Sequence, residues 1–173
     1  MEKIINRSVE YEGNILTAVK ATVLLENGQE ATRDIVEHNG GVGVVAYTGH
    51  SVILIRQYRV AVEMDVLELP AGKLEGDEDP QKRGEIELIE ETGYRAGEMT
   101  SLGAIYPAPG FSTEKIYLFL AEELEHVGQK LEWDEQIEVV EYSLEEIRGM
   151  LDDHVIDDGK TVIGLCRLLE RVA

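Results

Sequence analysis

Three glutamates, Glu87, Glu90 and Glu91, lie within five residues in the run ETGY-ended segment "GEIELIEETGY". Asp79 and Pro80 upstream make a helix start: an acceptor side chain at the cap, then a proline where a missing N–H costs nothing. Gly93 makes the stop. At ~100° per residue, with Ile86 at zero, Glu90 falls near ~40°, Glu87 near ~100° and Glu91 near ~140°. The carboxylates therefore share one arc, with Ile86 and Ile89 beside it, expected to face the core. Like charges three and four apart repel by a few tenths of a kcal/mol per pair. A solvated charged face is one explanation for keeping them together. A cation held between them is the other, and Mg²⁺ suits it: a hard ion that takes oxygen ligands and serves phosphate-bearing substrates.

The elements that must position this helix are mostly strands. Two β-rich runs flank Asn27-Gly28, a strong hairpin signal, and a second pair, 40–47 and 50–60, turns at Thr48-Gly49. A short strand over 65–72 leads into the acidic helix. Strand-like runs are expected again in "MTSLGAIYPAPG" (99–110) and "EKIYLFLAEEL" (114–124), on both sides of a Pro-rich loop, and in "QIEVVEYSL" (136–144). Ser143 with Glu146 reads as a capping box, and 160–172 as a helix with one apolar stripe. Many strands, about three helices and no regular alternation favour an α+β fold.

The chain has 173 residues, 43% of them hydrophobic, enough for one domain with a real core. Its net charge of −19 argues against nucleic acid and anionic membranes as partners. The single Cys166 builds neither a disulfide nor a Cys-based zinc site, and the four histidines are scattered. With no signal-peptide core at the N-terminus, a cytoplasmic protein is expected.

Gly72, Glu78, Glu87, Leu88, Glu90, Glu91, Gly93 and Tyr94 fall in register with the pattern G-x5-E-x7-R-E-U-x-E-E-x-G-U, where U is a bulky apolar residue. The segment thus resembles the Nudix box over its full length. One position departs: the box Arg is Ile86, and Arg83, near ~60° on the same wheel, is a substitute one turn earlier. The flanks "QYRVAVEMDVLELPAGKLE" and "YPAPGFSTEKIYLFLAEEL", with Pro109 fifteen residues after Tyr94, resemble the ADP-ribose pyrophosphatase subgroup.

The resemblance implies an α/β/α sandwich around a mixed sheet (residues 40–173), with an antiparallel β-subdomain (1–39) that joins two subunits in a homodimer. It implies Mg²⁺-dependent hydrolysis, with Mn²⁺ as the alternative ion, of ADP-ribose to AMP and ribose 5-phosphate. Another nucleoside diphosphate sugar such as GDP-mannose is the close variant, and a weakly catalytic binding module, because of Ile86, is the second class. An RNA 5′-end pyrophosphohydrolase is disfavoured by the acidic surface. By the same resemblance Glu87, Glu91, the Ala71 carbonyl and Glu90 are metal ligands. Glu87 and Glu90 also belong to the catalytic set, with Glu135 as general base and Asp134 as its alternative. Arg59 and Arg33 contact the nucleotide or its phosphates, and Glu68 hydrogen-bonds a ribose or base. Phe111 is the first candidate to stack on adenine, with Tyr58, Tyr106 and Trp133 behind it.

Overall fold

The computed structural model describes residues 1–131, 133 and 135–172. Two compact units emerge: Met1–Gly40 with Tyr106–Lys115, and Gly41–Ile105 with the chain from Ile116 onward.

In the first unit β1 (Lys3–Glu12), β2 (Leu16–Leu24) and β3 (Glu30–His38) form an antiparallel sheet in the order β1-β2-β3. The β2–β3 turn is the expected one. Gly28 takes φ 80°, a conformation open to glycine, and the Asn27 side chain accepts from Gln29 N–H at 3.0 Å. β2 buries Val19, Ala21 and Val23 at alternate positions, as the two-residue period of a strand demands. Every residue of β1 is exposed, Ile4, Ile5, Val9 and Tyr11 included. The segment 106–115 joins this unit through β3: Val36 N–H donates to Phe111 O at 2.7 Å and Thr113 N–H to Val36 O at 2.9 Å.

The second unit is built on a seven-stranded mixed sheet. Its backbone is the order β12 (Ile137–Ser143), β5 (Ser51–Arg59), β4 (Gly41–Tyr47), β10 (Ile116–Glu122), β9 (Glu98–Ile105). β4 and β10 run parallel, and the other pairs are antiparallel. β6 (Met64–Glu68) adds to β5, and β7 (Ala71–Lys73) adds to β4. The single strand expected over 65–72 is thus two strands with different partners. Pro70 has no N–H to continue a ladder, and its carbonyl accepts from Val44 N–H at 2.9 Å. A two-stranded ribbon of β8 (Tyr94–Arg95) and β11 (Glu125–His126) stands apart from this sheet.

β4 is buried on both faces, and its side chains sort by parity. Val42, Val44 and Ala46 pack with Leu88 under the helix α1 (Pro80–Glu87). Val45 and Tyr47 pack with Leu165 and Leu168 of α3 (Gly159–Arg171), beside Ile147 of α2 (Leu144–Asp152). Both helices that cross β4 do so at a glycine. A Cβ on Gly84 would stand 3.1 Å from Val42 Cγ2, and one on Gly164 3.0 Å from Val45 Cγ2. The result is helix, sheet and helix in layers, with the antiparallel N-terminal sheet as a further element. Among the described residues no helix is long and apolar enough to cross a membrane.

Candidate active site

The acidic helix starts as its sequence dictates: Asp79 accepts from Gln81 N–H at 3.0 Å, with Pro80 in the first position. It does not run as an α-helix to Gly93. Residues Leu88–Thr92 form one π turn, and Gly93 closes it with φ 77°. Single π turns inside helices are frequent at functional sites. The carbonyls this turn leaves open are met by the segment after β11. Val127 and Gly128 N–H donate to Gly93 O, Lys130 N–H to Glu90 O at 3.0 Å, and Gln129 Nε2 to Glu91 O at 2.6 Å. The helix phase also differs from expectation. Ile86 points outward, 41% exposed, while Glu87 (6%) and Glu91 (3%) are buried. The stripe laid on the sheet is Gly84, Leu88 and these two carboxylates, so the acids lie inward and the isoleucine outward.

Both buried carboxylates abut β7. Glu87 occupies the space a side chain on Gly72 would need; a Cβ there would overlap its carboxyl group. Glu91 Oε2 accepts from Ala71 N–H at 2.7 Å. Burial, opposed by the Ala71 hydrogen bond and reinforced by the charges of Glu87 and Glu135, raises the Glu91 carboxyl from its ordinary 4.5 to about 8. Burial raises Glu87 as well, against the opposing pull of Arg83. Arg83 Nη2 lies 2.7 Å from Glu87 Oε1. This places a guanidinium on a box carboxylate from position 83, one turn before Ile86. Its Nε is buried and has no hydrogen-bond partner among the described residues.

Next to β7, Glu68 is 2% exposed and holds two cations. Arg59 donates to it through Nε at 2.5 Å and Nη2 at 2.9 Å, and Lys160 Nζ donates to its Oε2. Arg59 and Glu68 are thus brought together, but on each other. Glu135, half-buried, acts electrostatically on Glu87 and Glu91; Asp134 lies outside the described residues. Arg33 and Phe111 belong to the first unit. Arg33 donates to Glu2 through Nε at 3.1 Å, and Phe111 is exposed. Tyr58, Tyr106 and Trp133 are exposed too. Lys160 and Gln129 escaped the sequence reading. A lone lysine in the helix start "DDGKT" was the signal for the first; the second gave none.

The Glu87 and Glu91 carboxylates that abut β7 offer hard oxygens, as do the Glu90 carboxylate and the Ala71 carbonyl expected to join them. That chemistry fits a divalent cation of the Mg²⁺ class and not a soft metal. Two buried acids of raised pKa are what such an ion would relieve. Among the described residues no three acidic, histidine or cysteine side chains already converge as a metal cage, in keeping with Glu87 held by Arg83 and Glu91 by Ala71.

The family model of the NUDIX domain matches residues 37–163. The chain belongs to the Nudix hydrolase family. Its Nudix relatives include a Bacillus subtilis "ADP-ribose pyrophosphatase", 38% identical across 95% of this chain and 90% of that protein. A Bacillus methanolicus "methanol dehydrogenase activator" is 36% identical over the same shares. A Citrobacter koseri "GDP-mannose pyrophosphatase" is 37% identical over 76% of this chain and 74% of that protein. Among solved structures, an "ADP compounds hydrolase" superposes with a TM-score of 0.87 over 99% of this chain and 94% of its own, at 22% identity, a likeness of Nudix fold.

Proposed function

We propose that this protein hydrolyses the diphosphate bond of ADP-ribose to AMP and ribose 5-phosphate with Mg²⁺ as its metal. The observation that carries the proposal is the placing of Glu87 and Glu91: two carboxylates at Nudix-box spacing, driven out of solvent onto the Ala71–Lys73 strand. Support for the substrate class comes from the relatives named as pyrophosphatases of ADP-ribose and GDP-mannose. ADP-ribose is preferred because that likeness spans 95% of the chain against 76%.

Glu87, Glu91 and the Ala71 carbonyl would hold the cation, with Glu90 as a further oxygen donor. A bound divalent cation supplies positive charge to the diphosphate oxygens and acidifies water. Glu135 takes the proton from the attacking water. Arg59 donates its unengaged N–H groups to a phosphate oxygen, a charge-assisted contact in a chain of net charge −19. Arg83 steadies Glu87 in place of the box Arg. This pairing weighs against a weakly catalytic binding module, since the guanidinium is supplied from another position. Arg33 and Phe111 are proposed as nucleotide contacts, and residues 1–39 as the dimerisation element through the exposed apolar side chains of β1.

Incubation with ADP-ribose, GDP-mannose and capped RNA, with and without Mg²⁺, tests the proposal. AMP and ribose 5-phosphate should form from ADP-ribose, and only with the metal. Faster turnover of GDP-mannose transfers the assignment to that sugar nucleotide, and binding without turnover leaves only a binding module.

A further inference from the structure

Lys160 is assigned no part in the mechanism above, yet it sits in a charge cluster built around the buried Glu68. Its Nζ donates to Glu68 and lies 3.1 Å from Asp158 Oδ2. Asp158 caps α3, accepting from Thr161 N–H at 3.0 Å and Thr161 Oγ1 at 2.6 Å. Thr161 Oγ1 accepts in turn from Leu69 N–H at 2.8 Å. The first turn of α3 therefore grips Glu68 and Leu69, the last two residues before Pro70-Ala71-Gly72. The lysine stem reaches them across β4 at Gly43, where a Cβ would stand 3.8 Å from Lys160 Cδ. Gly43 is the register partner of Ala71.

The chemistry of Glu68 decides what this grip does. Its carboxyl is shielded from solvent and both oxygens are engaged, so it offers no free edge to a substrate. It fixes the plane of Arg59 through two parallel N–H bonds, leaving the rest of that guanidinium turned to a half-open surface. A carboxylate shared with a second cation draws less on Arg59 than one that Arg59 neutralises alone.

We infer that Lys160 is a positioning residue: through Glu68 it sets the orientation and effective charge with which Arg59 meets the diphosphate. The inference rests on the proposed role of Arg59. It predicts that Lys160 acts only by way of Arg59.

A double-mutant cycle of K160M and R59A, read as KM and kcat on ADP-ribose, tests this. K160M should raise KM about tenfold with kcat within about twofold, R59A should raise it at least as much, and the double variant should match R59A. K160R should recover most of the loss. Additive effects in the double variant, or a K160M defect confined to kcat, overturn the inference. K160Q carries the same cycle if K160M does not fold. The Arg59 Nε–H resonance in ¹⁵N-labelled protein gives a readout free of turnover. It should move in K160M as it does in E68Q, and an unmoved resonance overturns the inference. If the wild type hydrolyses no nucleoside diphosphate sugar, the functional proposal falls while this resonance still judges Lys160.

Discussion

Glu91 is the residue where stability and function pull apart. In the unfolded chain its carboxyl ionises near 4.5; in the fold it holds its proton up to about 8. Across that window the folded state binds more protons, so stability is full below the lower value and declines as pH rises through the upper one. Glu87, raised in the same direction, adds to the decline. Thermal melts in chelator should therefore fall from pH 5 to pH 8, and millimolar Mg²⁺ should restore more of the loss at pH 8 than at pH 5. E91Q, which removes a buried charge, should raise the chelated melting temperature at pH 8 and lower kcat by about 10²-fold or more. Arg83→Ala leaves Glu87 buried without its cation and should cost about 3 kcal/mol in denaturant unfolding. Ile86→Arg, on an exposed position, should stay within about 0.5 kcal/mol of wild type. The acids were legible in sequence because their spacing is fixed. Their inward aim was not, because an ideal wheel assumes that isoleucine, not glutamate, seeks the core.

Elements were legible wherever their signals were local. Asn27-Gly28, Asp79-Pro80 and the Ser143–Glu146 capping box each specify a turn or a cap from a few neighbouring residues, and each is present. The π turn was not legible. Its open carbonyls are met by residues 127–130, far along the chain, and nothing within Leu88–Thr92 announces that help. The same holds for Lys160, which meets Glu68 across 92 residues. Partner strands also lie beyond local pattern, which is why β6 and β7 read as one strand until their neighbours differ. Gly93→Ala tests the closure of the π turn. It forces a side chain into a left-handed backbone, where its Cβ would meet Gln129 N at 2.6 Å. A loss of about 2 kcal/mol in unfolding free energy is expected, with weakened Mg²⁺ binding because the carboxylates ride on this turn.

At the scale of the whole molecule, β1 is an edge strand with exposed Ile4, Ile5, Val9 and Tyr11. A long exposed edge strand presents unpaired N–H and C=O groups on which another chain can pair. Light scattering should give a dimer mass, and Val9→Lys with Tyr11→Lys should shift it towards the monomer; an unshifted mass would place the contact elsewhere. The chain passes twice through the first unit, once as its opening forty residues and again as 106–115, which hangs on Val36 by two main-chain bonds. The N-terminal sheet is therefore no detachable appendage. A gene trimmed at codon 41 would leave ten residues in mid-chain with their scaffold gone, tethered at both ends between β9 and β10, and Phe111 among them.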